Sequence, residues 1–303
     1  MAIGIVAEYN PFHNGHIRQL NWIKEKFPNE KIIVVMSDKY TQRGELAIAS
    51  FKQRKAIAMK YGVDKILKLK FEETVQAAHI FAYSAILKLY KHGVDKIVFG
   101  SEDDDPQTMI KTAQLMKEKQ VEFHNILHAK LKKGKTSYPR AMAETISELG
   151  GKEFTKPNDI LGFEYIKVIV EKNLPIDIYT IKRNIDFHSE ETNDIYASAS
   201  LIRKMIFNNE AIDKYSPMVF NKKPKKIQDK YSKFQKIVKK TSVSKLKKIP
   251  LVSEGIENLF KKNINIPSYD LFVEACTSKR YTSSRIKRII AWILNKKWKY
   301  RKK

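Results

Sequence analysis

Cysteine is almost absent from this chain: Cys276 is the one thiol in 303 residues. That excludes an internal disulfide framework and a thiolate-rich metal centre, and we expect Cys276 to be a buried apolar filler. No run of eighteen apolar residues is present, so no segment is expected to span a bilayer and no membrane partner is implied. The opening MAIGIVAEYNPF has no basic leader and no small-residue cleavage site, and a cytoplasmic location is the expectation. There is no internal repeat. Acidic side chains are scarce in one region: residues 211–303 hold six Asp and Glu against 26 Lys and Arg, whereas residues 1–210 hold 27 against 32. Most of the net charge of +25 therefore sits in the last third. Charge concentrated in this way points to a polyanionic partner, nucleic acid ahead of a membrane surface; the plain alternative is a solvated, lysine-rich tail.

What is present is the composition of a globular protein, 43% hydrophobic and 30% charged, and long enough for two domains. AIGIVAEY (2–9) and EKIIVVMS (30–37) are Ile- and Val-rich runs flanking HIRQLNWIKEKF, whose Ile17, Leu20, Ile23 and Phe27 recur at helical spacing. That pattern predicts a βαβ unit. It continues with a helix closed by Gly62, a strand in DKILKLKF, a helix closed by Gly93 and a strand in DKIVFGSE. Three more helical pieces follow: about Asp105 to Gln120, HAKLKKGKTSYPRAMAETISELGG, and NDILGFEYIKVIVEKN. The strand-like IDIYTIKR comes next. Such alternation predicts an α/β fold with a Rossmann-like parallel sheet covered on both faces. After Asn208 the chain becomes too basic to be a packed core helix throughout. We therefore expect a catalytic domain over 1–208 and a smaller, basic, mainly helical region over 209–303. In its last stretch Ile286, Ile289, Ile290 and Ile293 fall on one side, with Arg285, Lys287, Arg288, Lys296 and Lys297 around them.

GIVAEYNPFHNGH places His13 and His16 directly after the first predicted strand. In a parallel sheet the helix that follows points its amino end at the ligand crevice, and phosphate is the natural occupant. Asn10-Pro11 supplies the turn and Gly15 is expected to allow close backbone approach. Two imidazoles on the first helical turn can donate to phosphate oxygens whose charge grows during attack on an α-phosphate. The bland reading is a pair of surface histidines capping a helix. His124 and His128 are four apart but lack a third ligand, so no metal site is expected there.

EYNPFHNGH resembles the signature of the HIGH-motif nucleotidyltransferase superfamily and, in its longer form, that of the tRNA(Met) cytidine acetate ligase family. Further stretches match in order: VVMSDKYTQRGELA (34–47), FAYSAI (81–86), FGSE (99–102), SYPRA (137–141), KPNDILGFEY (156–165), IKRNIDFHSE (181–190), ASASLIRK (197–204), EGIEN (254–258) and KRYTSSRIKR (279–288). The resemblance implies ATP-dependent activation of acetate to acetyl-adenylate. Acetyl transfer to the wobble cytidine of elongator tRNA(Met) would then form N(4)-acetylcytidine. ATP, accompanied by magnesium, is the implied co-substrate, with acetate and tRNA as partners. By the same match, Ala7, Glu8, Tyr9, Asn10, Pro11, Phe12, His13, Asn14, Gly15, His16, Gly100, Asn158 and Arg183 fall where the family contacts ATP. His13, His16, Ser198, Ser200 and Arg203 form the implied catalytic set, with the two hydroxyls donating at a helix start and Arg203 pairing with the β and γ phosphates. Lys279, Arg280, Arg285 and Arg288 are the expected tRNA phosphate contacts, and Tyr281 is available for stacking. Arg43 and Glu102 lie in matching stretches without a role that the residues themselves fix.

Read without the family, Ser200 and Asn158 are equally good helix caps and Arg183 an ordinary surface charge. The chain also departs from the family, compressing the usual longer segment before EGIEN into the lysine-rich stretch 208–250. Two other functions fit the motifs. A small-molecule adenylyltransferase would share the ATP site but has no use for the basic last third. A non-catalytic RNA-binding protein would have lost a phosphate motif, yet HNGH and ASASLIR are both intact.

Overall fold

The computed structural model describes residues 1–183 and 195–295. Its strands form one parallel sheet in the order β3-β2-β1-β4-β5. They are β1 (Ala2–Ala7), β2 (Lys31–Ser37), β3 (Lys65–Leu69), β4 (Lys96–Ser101) and β5 (Asp177–Lys182). Alternate side chains of each strand enter different cores, which is why the runs are apolar at nearly every position. Ile3 and Ile5 of β1 join Ile32, Val34 and Met36 of β2 on one face. Ala2, Ile33 and Val35 face the other.

The connections supply the two helical layers. On the first face lie α1 (Asn14–Lys26), between β1 and β2, and α2 (Phe51–Lys60), between β2 and β3. After β3 the chain forms a short turn, α3 (Phe71–Thr74), and then α4 (Ala78–Tyr90), which carries it past β1 to β4 on the far side. α5 (Pro106–Glu118), α6 (Gln120–Lys132), α7 (Tyr138–Glu148) and α8 (Pro157–Glu171) complete the second layer before β5. The basic stretch around residue 134, read as one helical piece, is two: the chain breaks at Gly134, whose φ is +65°. Strand order reverses between β1 and β4, and this reversal opens a crevice beyond their carboxyl ends.

The basic last third does not behave as a solvated tail. After α9 (Ala199–Asn208), the helices α10 (Tyr231–Lys240), α11 (Val243–Leu246), α12 (Ile256–Asn263), α13 (Tyr269–Cys276) and α14 (Ser283–Asn295) enclose a second core. Phe234, Phe260, Phe272 and Trp292 are fully buried in it, and Cys276 is a buried free thiol, as expected. Tyr40, Leu46, Phe71 and Val75 belong to the same cluster, so the basic helices are welded to the loops at the carboxyl edge of the sheet. Trp292 Nε1 donates to the Val75 carbonyl at 2.9 Å within this contact. Every residue of α14 from Ile289 to Leu294 is buried, a wider apolar surface than the one-sided stripe read from the sequence. Lys296 and Lys297, expected around that helix, lie outside the described residues, as do residues 184–190 of the IKRNIDFHSE stretch.

Candidate functional site

A cavity of about 640 Å³ fills the crevice at the β1/β4 switch point. It is walled by the loop after β1, the ends of β4 and β5, the first turns of α8 and α9, and the loop after β2. Ala7, Glu8, Tyr9, Asn10, His13, Gly15, His16, Gly100, Asn158, Arg183, Ser200 and Arg203 all line it. The structure thus gathers residues from five separated motifs around one space.

His13 is the N-cap of α1. Its Nδ1 accepts from the Gly15 N–H at 3.0 Å, and its own N–H donates to His16 Nδ1 at 3.1 Å. Both Nδ1 atoms therefore act as acceptors, so each neutral ring carries its proton on Nε2. The imidazoles lie 3.8 Å apart between centroids, with Tyr9 edge-on at 4.8 Å and Phe12 stacked at 5.5 Å against His16. Burial first, then the cations Arg183 and Arg203, push His13 down to about 3. Burial, then His13 and Arg183, hold His16 well below its ordinary value. At neutral pH the cavity is therefore presented with two neutral N–H donors. Capping and ligand contact are not alternatives here, because they use opposite nitrogens.

Several expected reasons are corrected by this geometry. Gly15 lines the cavity and is needed for its neighbour as well: a Cβ there would stand 2.8 Å from His13 Cε1 and 3.0 Å from its Nδ1. The first amides of α1 are not free for phosphate either. Asn14 N–H donates to the Tyr215 carbonyl at 2.9 Å, Gly15 N–H to His13 Nδ1, and His16 N–H to the His13 carbonyl at 2.8 Å. Pro11, Phe12 and Asn14 do not line the cavity. Phe12 is wholly buried in the sheet core, and Asn14 turns outward to donate to the carbonyls of Ile195 and Lys214. Ser198 is also outside the lining; it is the N-cap of α9, accepting from Leu201 N–H at 3.1 Å. Ser200, the expected cap, instead faces the cavity, with its Oγ 3.3 Å from Arg203 Nη2.

Arg203 is fixed as well as charged. Its Nη1 donates to the Asn10 carbonyl at 2.8 Å, which ties the ASASLIRK helix to the turn after β1. On the opposite wall, Asn158 is not the cap of α8. Glu102 caps that helix from outside, accepting from the N–H groups of Asn158 at 3.1 Å and Asp159 at 3.0 Å. Asp159 reciprocates by accepting from Ser101 Oγ and from the N–H groups of Glu102 and Asp103. Because Asn158 Nδ2 is also held by Glu102, its amide oxygen is left as the acceptor it can offer to the cavity. Gly100 stands beside it, where a Cβ would meet only the Arg183 side chain at 3.4 Å.

Other residues of the site were not singled out from the sequence. Gln42 N–H donates to Glu8 at 2.6 Å, and burial raises the Glu8 carboxyl against the opposing pull of that bond and of Arg54, Arg43 and Arg203. Arg54, fully buried, donates to the carbonyls of Glu8, Asp38 and Ala49 and so holds the β1 and β2 loops together. Phe99, Phe81, Leu161 and Tyr165 give the cavity an apolar side. Lys287, from α14, also lines it, although the expected tRNA contacts do not. Of those, Lys279 is exposed. Arg285 and Tyr281 are committed internally: Arg285 donates to Leu251, Ser253 and Glu254, and the Tyr281 hydroxyl to the Glu254 carbonyl. Arg280 pairs with Glu254 at 3.5 Å, and Arg288 is held down to about 10 by burial and then by Arg285 and Arg43.

Among the described residues, no group of three or more His, Cys, Asp or Glu side chains is placed to hold a metal ion. The cavity brings together the imidazoles of His13 and His16 and the guanidinia of Arg43, Arg183 and Arg203, groups suited to an anion, beside the carboxyls of Glu8 and Glu45. No helix among the described residues is long and apolar enough to cross a membrane.

Comparison with known proteins extends over nearly the whole chain. Residues 1–302 match the HIGH Nucleotidyl Transferase family. The tRNA(Met) cytidine acetate ligase of Mycoplasmopsis pulmonis is 51% identical over 294 residues, covering 97% of this chain and 98% of that one. The protein of the same name from Geobacillus sp. is 33% identical, covering 97% and 78%. The crystal structure of apo Thermotoga maritima TmcAL superposes with a TM-score of 0.87 at 30% identity, covering 97% of this chain and 75% of that one. The same protein bound with alpha-thio ATP gives 0.85 at 31% identity, covering 98% and 75%.

Proposed function

Because the chain belongs to the HIGH nucleotidyl transferase family, we propose that it is an ATP-dependent tRNA(Met) cytidine acetate ligase of the cytoplasm. The observation that carries the reading is the pair His13 and His16, each with Nδ1 engaged by backbone and Nε2–H left for the cavity, in the same space as Ser200 and Arg203. In the first half-reaction an acetate oxygen attacks the α-phosphorus of ATP and pyrophosphate leaves. Negative charge grows on the phosphate oxygens, and preorganised donors of this kind are each worth about 2.7–4 kcal/mol of barrier. The two Nε2–H groups supply those donors without changing protonation. Arg203, held by Asn10, and Ser200 face the departing pyrophosphate at the start of α9. Asn158 Oδ1 accepts from the adenine amino group, and the bare backbone at Gly100 admits the nucleoside. Magnesium, were it to arrive with the triphosphate, would offset phosphate charge. In the second half-reaction the cytidine N4 attacks the acetyl carbonyl, AMP leaves and N4 loses a proton.

We place the domain boundary at 208/209, with 1–208 binding ATP and 209–303 serving tRNA. The test is acetate-dependent ATP–pyrophosphate exchange by the purified protein, expected to need no tRNA. Exchange that ignores acetate and responds to a mononucleotide substrate would replace this reading with cofactor synthesis.

A further inference from the structure

The expected tRNA contacts leave a cation of the same region unexplained. Lys287 is carried by the basic α14 yet lines the ATP cavity. It is there because α14 rests on the loop after β2. Gly44, with φ +85°, lies under the helix so closely that a Cβ would stand 2.8 Å from Arg288 Cα and from the Lys287 carbonyl oxygen. The residues flanking Gly44, Arg43 and Glu45, are thereby brought to α14, and both line the cavity with Lys287. Lys287 Nζ lies 3.0 Å from Glu45 Oε1, and the two side chains remain 30% and 36% exposed.

Resting on the functional reading above, we propose that Lys287 and Arg43 form a phosphodiester subsite at the cavity mouth, gripping the RNA backbone beside the cytidine that enters to be acetylated. Charge favours an anion at this place. Arg43 faces Arg288, which also faces Arg285, and Glu45 is the acid that pairs with Lys287. Burial, then Arg285 and Arg43, lower Arg288, which also faces His79, while Arg43 faces the Glu8 carboxyl across the cavity. An incoming phosphate would relieve that crowding and share Lys287 with Glu45. α14 then serves as a wall common to both half-reactions: its buried face fixes it to the sheet edge, and its Lys287 meets the second substrate.

The same ammonium could instead serve the triphosphate of ATP, and the experiment separates the two. Lys287→Ala, Lys287→Arg and Glu45→Gln are compared for ATP–pyrophosphate exchange and for acetylation of tRNA, each over a range of salt. The proposal expects Lys287→Ala to raise KM for tRNA about tenfold beyond any change in KM for ATP, the low end for a charge-assisted contact. The logarithmic salt slope should fall by about one. Lys287→Arg should restore most of the affinity. Glu45→Gln, which releases the ammonium, should lower KM for tRNA. If Lys287→Ala and Glu45→Gln shift KM in the same direction, Lys287 is only an ion-pair partner and the proposal fails. It fails equally if KM for ATP rises as much as KM for tRNA. Absence of acetate-dependent exchange in the parent protein would overturn the functional reading itself, a result visible before any variant is made.

Discussion

Replacing His13 by asparagine and by alanine separates the two duties of its ring. Nδ1 caps α1 through Gly15 N–H at 3.0 Å, and Nε2 is left for the substrate. Asparagine is among the best N-caps, so His13→Asn should keep the helix start while removing the Nε2 donor. Alanine removes both, and the lost cap costs about 1 kcal/mol, within a range of about 0.5–2. Urea unfolding should therefore place His13→Asn within a few tenths of a kcal/mol of the parent and His13→Ala about 1 kcal/mol below it. Acetate-dependent ATP–pyrophosphate exchange should fall in both by about 10²–10³-fold, the loss of one donor worth about 2.7–4 kcal/mol at the α-phosphate. Parent-like exchange by His13→Asn would refute the reasoning and reduce the histidine to a cap.

His16→Ala should lower exchange by the same about 10²–10³-fold, since its Nε2 is the second donor; full exchange in a variant that melts like the parent would remove it from the site. The folded protein holds His13 at about 3 against 6.5 unfolded, so the unfolded chain binds the extra proton between those values. Stability is then complete above about pH 6.5 and is lost as pH falls toward 3, by about 1.3 kcal/mol from pH 7 to 5.5 for this one group; urea unfolding of parent and His13→Asn at both pH values should show that difference. A Cβ on Gly162 would collide with the Phe99 ring, which lines the cavity, so Gly162→Ala should weaken ATP binding measured by calorimetry despite the better helix propensity of alanine. Trp292→Phe strands the buried Val75 carbonyl and should cost about 1–3 kcal/mol in denaturant unfolding.

The parallel sheet was legible because both faces of its strands are covered, which leaves 2–7 and 31–37 as almost uninterrupted apolar runs rich in Ile and Val. The cavity-lining residues were legible for two reasons: the strand-to-helix position of His13 and His16 pointed to the crevice, and the family resemblance marked Gly100, Asn158, Arg183, Ser200 and Arg203, all of which line it. What each does locally was not legible. Whether Ser198 or Ser200 caps α9 depends on a two-residue shift of the helix start, and the capping of α8 by Glu102 is a contact 56 residues apart in sequence. The local contacts of the basic region were not legible either. Its charge is real, but Arg285 and Tyr281 spend their polar groups on the 251–254 turn, and no periodicity announces that a turn will be there. Lys287 reaches the cavity only because Gly44 lets another part of the chain approach, a fact of packing that the helical pattern of α14 does not contain.

The central claim, that one cavity activates acetate and delivers it to tRNA, is tested most directly by incubating the protein with ATP, labelled acetate and total tRNA and analysing the nucleosides by mass spectrometry. The account predicts one labelled N(4)-acetylcytidine, confined to elongator tRNA(Met) at the wobble position and dependent on ATP and on His13. Labelled acetate appearing in no nucleoside, while the protein still turns over ATP with acetate, would contradict it.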